Sequence, residues 1–585
     1  MRLSSEQRAA VAEPGHVCLV SCPGSGKTRV IVAKLLYCIE AVRDTTRRIA
    51  CITHTNAAAD EVDTRLRETC FGGEDRYYEV ATIHGFALQN ILRPFHHLLP
   101  ELRNSFAILT PDADAYTDKA KDLIRTYGLT AFAFDEFERI QRAPDGNTSQ
   151  VESLPAGLQH EWCSWLDENA YVTLNEIVYH AGRLVSSYAH IASALASRFA
   201  WILVDEFQDS SPGQILILKE IHKYGRTTFF CVGDPNQSIY RFAGASPELL
   251  IDFATHIHAN TDHRLTGNFR SSTNICVHAE RLCASDPPMR AVGEYAECPI
   301  VPVHQSVSSP AEGIFDHFLP AVRELGVPLG EVAIIASWWV TLFNLGRELR
   351  RQNIPAIGPG ARPYKRSHLI AQLVESIGAH LENSESETAI AVQRSLFVLI
   401  ANLTERAPYS VFDFRGRVAV CKLLAEAAAA RNTSVYANDW IPDAAERFSR
   451  VLVDAEMLSA DNAAALQESA AQMVTDIRGR GGGDMITIED LGIFAQPKHC
   501  IQLLTVHKAK GREFEAVAVI EAHDGRFPHF SVYGLMDEAE RQAQYDESRR
   551  VIYVATTRAK RILMFFSDTA DHRNRPTPFL EMMGL

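Results

Sequence analysis

Short apolar runs recur along this chain, at residues 49–52, 201–204, 229–232, 331–336, 501–504 and 516–520. Helical patterns separate several of them, so the alternation predicts an α/β protein built on parallel sheets. A further run, His16-Val-Cys-Leu-Val20, reads as a buried strand. A glycine-rich turn follows it. Residues 28–39 come next, with Val32, Leu35, Leu36 and Ile39 at helix-compatible spacing. Two stretches interrupt the alternation. Residues 96–195 carry helical patterns broken by Pro144-Asp-Gly-Asn147. Residues 361–497 are Ala-rich and helical, as at 423–430 and 463–473, and they end near Arg478-Gly-Arg-Gly-Gly-Gly483, which reads as a flexible joint. There is no internal repeat.

The turn after the first strand carries chemistry. Residues 21–28 read Ser-Cys-Pro-Gly-Ser-Gly-Lys-Thr, and strand, glycine loop and helix are the context that a phosphate-binding loop requires. Gly24 and Gly26 let the backbone curl around Ser25, so that successive N–H groups can face phosphate oxygens. The helix N-terminus adds partial positive charge. Lys27 is placed to reach the β- and γ-phosphates of ATP, and the Thr28 hydroxyl to ligate Mg²⁺. Ser21 stands where the consensus has Gly. Far downstream, Asp205-Glu206 follows the apolar run Trp201-Ile-Leu-Val204. A carboxylate leaving the C-terminal edge of such a strand suits Mg²⁺ for Asp205, and Glu206 can orient and deprotonate the attacking water.

Length and composition bound the rest. With 585 residues and 46% hydrophobic residues, several domains with substantial cores are expected. The net charge of −14 excludes a globally basic surface, so nucleic-acid binding has to rely on a local channel. The twelve cysteines form no C-x-x-C pair, which argues against an iron–sulfur or zinc site and for reduced thiols in the cytoplasm. Cys18 and Cys22 read as buried strand and loop positions rather than metal ligands. The N-terminus lacks an apolar signal segment, and no run is long enough to span a membrane.

Further stretches resemble one family. They are the segment around Gln7 (Leu3-Ser-Ser-Glu-Gln-Arg-Ala-Ala-Val11), Thr53-His-Thr-Asn-Ala-Ala-Ala59, Thr82-Ile-His-Gly-Phe86 and Asp205-Glu-Phe-Gln-Asp209. Later come Gly233-Asp-Pro-Asn-Gln-Ser-Ile-Tyr-Arg-Phe242, Asn268-Phe-Arg-Ser-Ser272, Thr505-Val-His-Lys-Ala-Lys-Gly511 with Glu513, and Tyr553-Val-Ala-Thr-Thr-Arg-Ala-Lys560. Their order and spacing resemble those of UvrD/Rep-type superfamily 1 DNA helicases over nearly the whole chain. The resemblance implies a P-loop NTPase with two RecA-like parallel-sheet cores and two mainly helical insertions. The first core would use residues 1–95 and 196–260, around an insertion at 96–195. The second would use 261–360 and 498–585, around a reduced insertion at 361–497.

The resemblance also implies roles. Gln7 would read adenine and Phe269 stack on it, where the family usually has Tyr. Glu513 would hold the ribose. Gln237 would sense the γ-phosphate, and Arg270 and Arg558 would spread its transition-state charge. ATP binding would close a cleft shared by two domains, and hydrolysis would open it. On the DNA side, Tyr240 and Phe242 would stack on bases of a single strand, with His54 in place of the usual Phe. Asn56, His84, Arg241, His507 and Lys510 are implied phosphate or base contacts. Ser337 stands where an Arg is common.

The expected activity is ATP-dependent 3′→5′ single-stranded DNA translocation or unwinding, with ATP and Mg²⁺ as cofactors. The alternative is a DNA- and nucleotide-sensing ATPase subunit that regulates a partner nuclease with little unwinding of its own; the reduced insertion and Ser337 favour it. The chain ends soon after the strand at 562–566, with no appended nuclease expected. The stretches around Ser21–Ser25 and Ala50–Ala57 look similar to helicase subunits of Gabija-type anti-phage systems. That resemblance implies antiviral defence and a nuclease partner in trans, an OLD-type endonuclease with a Toprim fold.

Overall fold

The structure is a computed structural model that describes residues 2–69, 74–143, 146, 151, 153–241, 244–404, 408–479, 486–568 and 575–585. Contacts divide the chain into two compact units, Met1–Pro299 with Val532–Thr557, and Ile300–Ser531 with Arg558–Leu585.

The first unit is built on β1 (Val17–Ser21), β2 (Arg48–Thr53), β3 (Tyr78–Thr82), β6 (Phe199–Val204), β7 (Thr228–Gly233) and β8 (Arg264–Leu265). They form one six-stranded parallel sheet in the order β3-β2-β6-β7-β1-β8. Two-residue strands β4 (Ala107–Ile108) and β5 (Tyr171–Val172) pair separately, as do β9 (Gly267–Asn268) and β10 (Arg290–Ala291). A parallel sheet is covered on both faces, which is why its central strands read as unbroken apolar runs. Leu19, Leu203, Phe230 and Val232 are fully buried on one face, under Val30, Ile31 and Leu35 of the helix Lys27–Val42. Each such side chain contributes roughly 1.5–3 kcal/mol. The chain leaves β1 towards β2 on one side and β7 towards β8 on the other, with β1 between β7 and β8. The crevice beyond the strand ends at such a reversal is where open α/β sheets bind ligands.

The insertion at 96–195 contributes the helices Asp114–Thr126, Ala156–Glu168, Leu174–Ser187 and Ala189–Arg198. Ile177, Ala181 and Leu184 pack into the same core as Ile52, Ile202 and Phe229 of the sheet, which fixes this insertion to the first core. Arg142 closes it on the other side. Its guanidinium binds Asp167 at 2.7 and 2.9 Å and also pairs with Glu176, which is 2% exposed. His180, fully buried in the same network, is held well below its usual value by burial, reinforced by Arg142 and Arg183.

The second unit carries β11 (Val303–Val307), β12 (Val332–Ala336), β13 (Ala356–Ile357), β14 (Ile501–Thr505), β15 (Phe514–Val519) and β16 (Ala559–Asp568). They too form a parallel sheet, in the order β11-β16-β15-β12-β14-β13. Its insertion has a core of its own, with Leu423, Ala427, Trp440, Phe448 and Met473 drawn from the helices Phe414–Arg431, Ala437–Asp454 and Ala460–Gly479. Small alanines let these helices approach closely, and Trp440 Nε1 donates to the Ala427 carbonyl at 3.1 Å.

The division differs from the sequence-based boundary at 260/261. Residues 261–299 group with the first unit, where β8 extends the first sheet and Cys22 N–H donates to the Leu265 carbonyl at 3.0 Å. Of the two expected breaks, Pro144, Asp145, Asn147 and residues 480–483 lie outside the described residues. Among the described residues no helix is long and apolar enough to cross a membrane.

Candidate nucleotide and DNA site

The loop after β1 has the shape its glycines predict. Gly24 and Gly26 take φ of 66° and 79°, the left-handed region. A Cβ on Gly24 would lie 2.7 Å from both Asn268 Oδ1 and Arg270 Cβ, and one on Gly26 would lie 2.9 Å from Gln7 Nε2. Glycine is therefore required twice over, for backbone angle and for space. Ser21, the departure from consensus, donates its hydroxyl to the Gly233 carbonyl at 3.0 Å and ties β1 to the end of β7. Ser25 Oγ is buried in the loop with no hydrogen-bond partner, and a phosphate oxygen is a suitable acceptor for it.

Gln7 sits on the helix Ser5–Ala12, which Ser4 and Gln7 start with a capping box. Gln7 Oε1 accepts from Ser4 N–H at 2.9 Å, and its Nε2 donates to the Ser25 carbonyl at 2.8 Å. The amide that the resemblance assigns to adenine thus holds the phosphate loop in this structure.

Lys27 opens the helix Lys27–Val42, and its Nζ lies 3.7 Å from Glu206 Oε1. Thr28 follows on the same first turn. Asp205 directly follows β6 and is buried; burial raises its carboxyl above the usual range, the Glu206 charge adds to this, and Lys27 opposes it. Glu206 takes a φ of 50°, uncommon for a residue with a Cβ. Its carboxylate accepts from Gln208 Nε2 at 2.7 Å, and Gln208 Oε1 accepts from Asp234 N–H at 3.0 Å. Gln208 is 0% exposed, so it is a rigid strut between the acid pair and the segment after β7. Gln237 donates to Asp234 Oδ2 at 2.6 Å, and burial raises the Asp234 carboxyl.

Asn268 is the second strut. Its Oδ1 accepts from the N–H groups of Arg270 and Ser271 at 2.7 and 2.8 Å, and Phe269 N–H donates to the Gly24 carbonyl at 2.8 Å. This turn brings Phe269, 40% exposed, and Arg270 against the phosphate loop. Arg270 Nη1 also donates to the Thr557 carbonyl at 3.0 Å. Gln208 and Asn268 lay inside the quoted motifs, but sequence reasoning gave them no task, because their partners come from distant strands.

The residues assigned to DNA in the first unit lie close by. His54 and Tyr240 stack with ring centroids 5.1 Å apart and planes at 25°. Both line a cleft of about 300 Å³ with His84, Asn175 and Tyr179. His84 is pushed down to about 4 by burial and then by His54, so at neutral pH it offers a hydrogen bond rather than a charge. Asn56 is exposed at the start of the helix Asn56–Thr69. Arg241 is tied to Glu540 at 2.7 Å. Phe242 lies outside the described residues.

In the second unit, Arg558 is 1% exposed, with Nη1 donating to the Arg512 carbonyl at 3.1 Å. Glu513 pairs with Lys560 at 3.3 Å. His507 and Lys510 are half-buried, on and just after the short helix Val506–Ala509.

Residues 3–258 match the UvrD/REP helicase N-terminal domain, and residues 485–569 match the UvrD-like helicase C-terminal domain. Together they cover more than half of the chain, in the family's order. The chain is 24% identical over 598 residues to the ATP-dependent DNA helicase UvrD2 of Mycobacterium tuberculosis (strain ATCC 25618 / H37Rv), covering 95% of this chain and 77% of the relative. It is 24% identical over 644 residues to UvrD1 of the same strain, covering 96% and 81%. With the ATP-dependent DNA helicase Rep of Escherichia coli (strain K12) it shares 25% over 631 residues, covering 97% and 90%. The chain belongs to the UvrD/Rep family and is an ATP-hydrolysing DNA helicase.

Proposed function

We propose that this chain is a 3′→5′ single-stranded DNA translocase in which ATP turnover and the grip on bases are coupled through the segment Gly233–Arg241. The observation that carries this reading is the continuity of that segment. Asp234 and Gln237 belong to the network around Glu206, and Tyr240, three residues on, stacks on His54. A cavity of about 10 Å³ is lined jointly by His54, Asp205 and Glu206, so one ring of the stacking pair lies beside the acid pair.

In this proposal Lys27 and the loop Gly24–Thr28 hold the β- and γ-phosphates, Gln7 and Phe269 hold adenine, and Glu513 holds the ribose. Thr28 and Asp205 supply oxygen ligands that fit Mg²⁺, which supplies charge neutralisation at the phosphates. Glu206 orients the attacking water and takes its proton. Before that, Lys27 must leave Glu206 for the phosphates, which releases the carboxylate to act as base. Gln237 senses the γ-phosphate, while Arg270 and Arg558 stabilise charge developing on it, and such arginines are worth roughly 10³–10⁵ in rate. His54, Asn56, His84, Tyr240, Phe242, His507 and Lys510 hold the strand.

The test is ATP turnover with and without single-stranded DNA, beside strand displacement on duplexes with 3′ or 5′ tails. Lys27→Ala abolishes turnover, and Glu206→Gln keeps ATP binding but stops hydrolysis. Displacement of 5′-tailed duplexes alone overturns the polarity, and wild-type turnover by Glu206→Gln overturns the assigned base. A second reading, a DNA-sensing ATPase subunit with little unwinding of its own, is favoured by Ser337, a short buried hydroxyl at the end of β12. DNA-stimulated turnover without displacement, together with recovery of a nuclease in pull-downs, selects it.

A further inference from the structure

Two charged residues with no part in the phosphate chemistry grip the helix Ser5–Ala12 that carries Gln7. At its C-terminal end, Lys34 Nζ donates to the Glu13 carbonyl and, at 3.0 Å, to that of Val11. A helix end leaves such carbonyls without an internal partner. Lys34 belongs to the helix Lys27–Val42 and is 0% exposed. Its ammonium lies 4.4 Å from the Trp201 ring centroid, 4.8 Å from Tyr37 and 5.2 Å from Phe230. A buried charge is costly unless it is paired, and here two carbonyls and three π-faces compensate it.

In the first turn, Glu6 holds the helix from another direction. Its Oε2 accepts from Thr266 N–H at 2.9 Å and its Oε1 from the Thr266 hydroxyl at 2.7 Å. Thr266 lies between β8 and β9, three residues before Phe269. The helix is thus joined at one end to the helix after the phosphate loop, and at the other to the turn that presents the Phe269 ring.

Gln7 sits between these anchors, 1% exposed, with each half of its amide committed once. Oε1 accepts from Ser4 N–H, and Nε2 donates to the Ser25 carbonyl. An amide oxygen has two lone pairs and an amide nitrogen two hydrogens, so one acceptor and one donor remain. Turning the amide over would set its oxygen against the Ser25 carbonyl and its NH₂ against Ser4 N–H, so its orientation is locked. The remaining acceptor and donor match the N6 amine and N7 of adenine. Guanine presents two acceptors, O6 and N7, and the locked oxygen would face O6. That discrimination depends on where the helix stands relative to Phe269, and Glu6 and Lys34 fix that placement.

We propose that Glu6 and Lys34 are positioning residues for base selection: they brace the helix Ser5–Ala12 at both ends so that the Gln7 amide meets adenine and turns guanine away. The brace rests on the reading given above, in which Gln7 and Phe269 hold adenine, and adds to it the residues that set the specificity.

The test is steady-state turnover of ATP and of GTP by the full-length protein with Mg²⁺. Glu6→Ala and Lys34→Met should each raise the KM for ATP and lower the ATP-over-GTP ratio of kcat/KM roughly tenfold, the worth of about one hydrogen bond. The kcat at saturating ATP should change far less, since no group at the γ-phosphate moves. Glu6→Gln should restore most of the preference, because its amide oxygen still accepts from Thr266 N–H. Inhibition by inorganic tripolyphosphate, which has no base, should be unchanged. In a Gln7→Ala background neither substitution should lower the ratio further, because both act through Gln7. If Lys34→Met does not fold, the two Glu6 variants decide. A wild-type ratio in Glu6→Ala, with a lowered ratio in Gln7→Ala, overturns the brace and leaves the adenine reading standing. Tripolyphosphate inhibition weakened as much as ATP binding would mean a loosened phosphate loop, and also overturns the brace. A wild-type ratio in Gln7→Ala overturns both.

Discussion

Glu206 is held in a backbone conformation that a side-chain-bearing residue rarely adopts, at φ 50°. Strain of this kind costs on the order of 1–3 kcal/mol and persists where the surroundings enforce it. Here the enforcement includes Gln208, whose amide donates to the Glu206 carboxylate and accepts from Asp234 N–H. Gln208→Ala should therefore lower turnover roughly 10- to 100-fold, since a misplaced base costs about that much, while ATP affinity changes far less. In a Glu206→Gln background the same change should cost little more, because the two act as one unit. Additive losses would show that Gln208 acts elsewhere. Ser21 gives a second prediction. Its hydroxyl bonds the Gly233 carbonyl, so restoring the consensus with Ser21→Gly should destabilise the fold by about 0.5–1.5 kcal/mol in chemical denaturation, instead of improving it. The glycine loop at 21–28 was legible in sequence because a strand, glycine turn and helix in succession are a local pattern. Gln208 and Asn268 were not, because their tasks come from hydrogen bonds to chain segments far away in sequence.

At the scale of elements, the strands were readable where both faces are covered. The runs at 49–52, 201–204, 229–232 and 501–504 all fall inside β2, β6, β7 and β14, each of which has a neighbour on either side. Edge strands gave no such signal. β3 and β11 each carry partly exposed residues at several positions, and β8 is only two residues long, too short to show as an apolar run. The insertion at 96–195 was legible as helical, but not the ionic network that fastens it. Glu176 and His180 lie one turn apart on the helix Leu174–Ser187, but Arg142 and Asp167 are distant from them in sequence and join them only in the fold. Two buried histidines, His180 in this network and His84 after β3, give the first unit a pH response. His84 and His180 both have folded pKa values below their usual 6.5, His84 at about 4. Below pH 6.5 the unfolded chain takes up protons that the fold refuses, so their contribution is complete above that value and lost progressively as pH falls. Thermal unfolding should shift downward between about pH 7 and pH 5, and His180→Gln should shrink the shift. Parallel losses in the two proteins would place the response elsewhere. Arg142→Ala, which leaves the buried Glu176 carboxylate without its guanidinium partner, should cost about 3–5 kcal/mol by the same measurement.

For the whole molecule, the division of the chain matters more than the two sheets themselves. The first unit takes back the segment Val532–Thr557, and the helix Glu538–Thr556 within it is bound to the segment after β7. Glu540 and Glu547 hold Arg241, and Arg550 Nε donates to the Ser238 carbonyl at 2.8 Å. A protein consisting of residues 1–299 should therefore fold poorly, or aggregate, despite carrying the phosphate loop, both acids and the whole first sheet. Adding residues 532–557 as a separate peptide should raise its thermal midpoint. A fragment of 1–299 as stable as the corresponding part of the intact chain would show that the helix is dispensable. The same returning helix limits how this motor can be rebuilt. Relatives cannot be recombined at a single crossover between halves, because every such chimaera would pair one parent's Tyr240 segment with the other parent's clamp. Exchange of the two halves, in the laboratory or in descent, has to move two separate stretches of gene together.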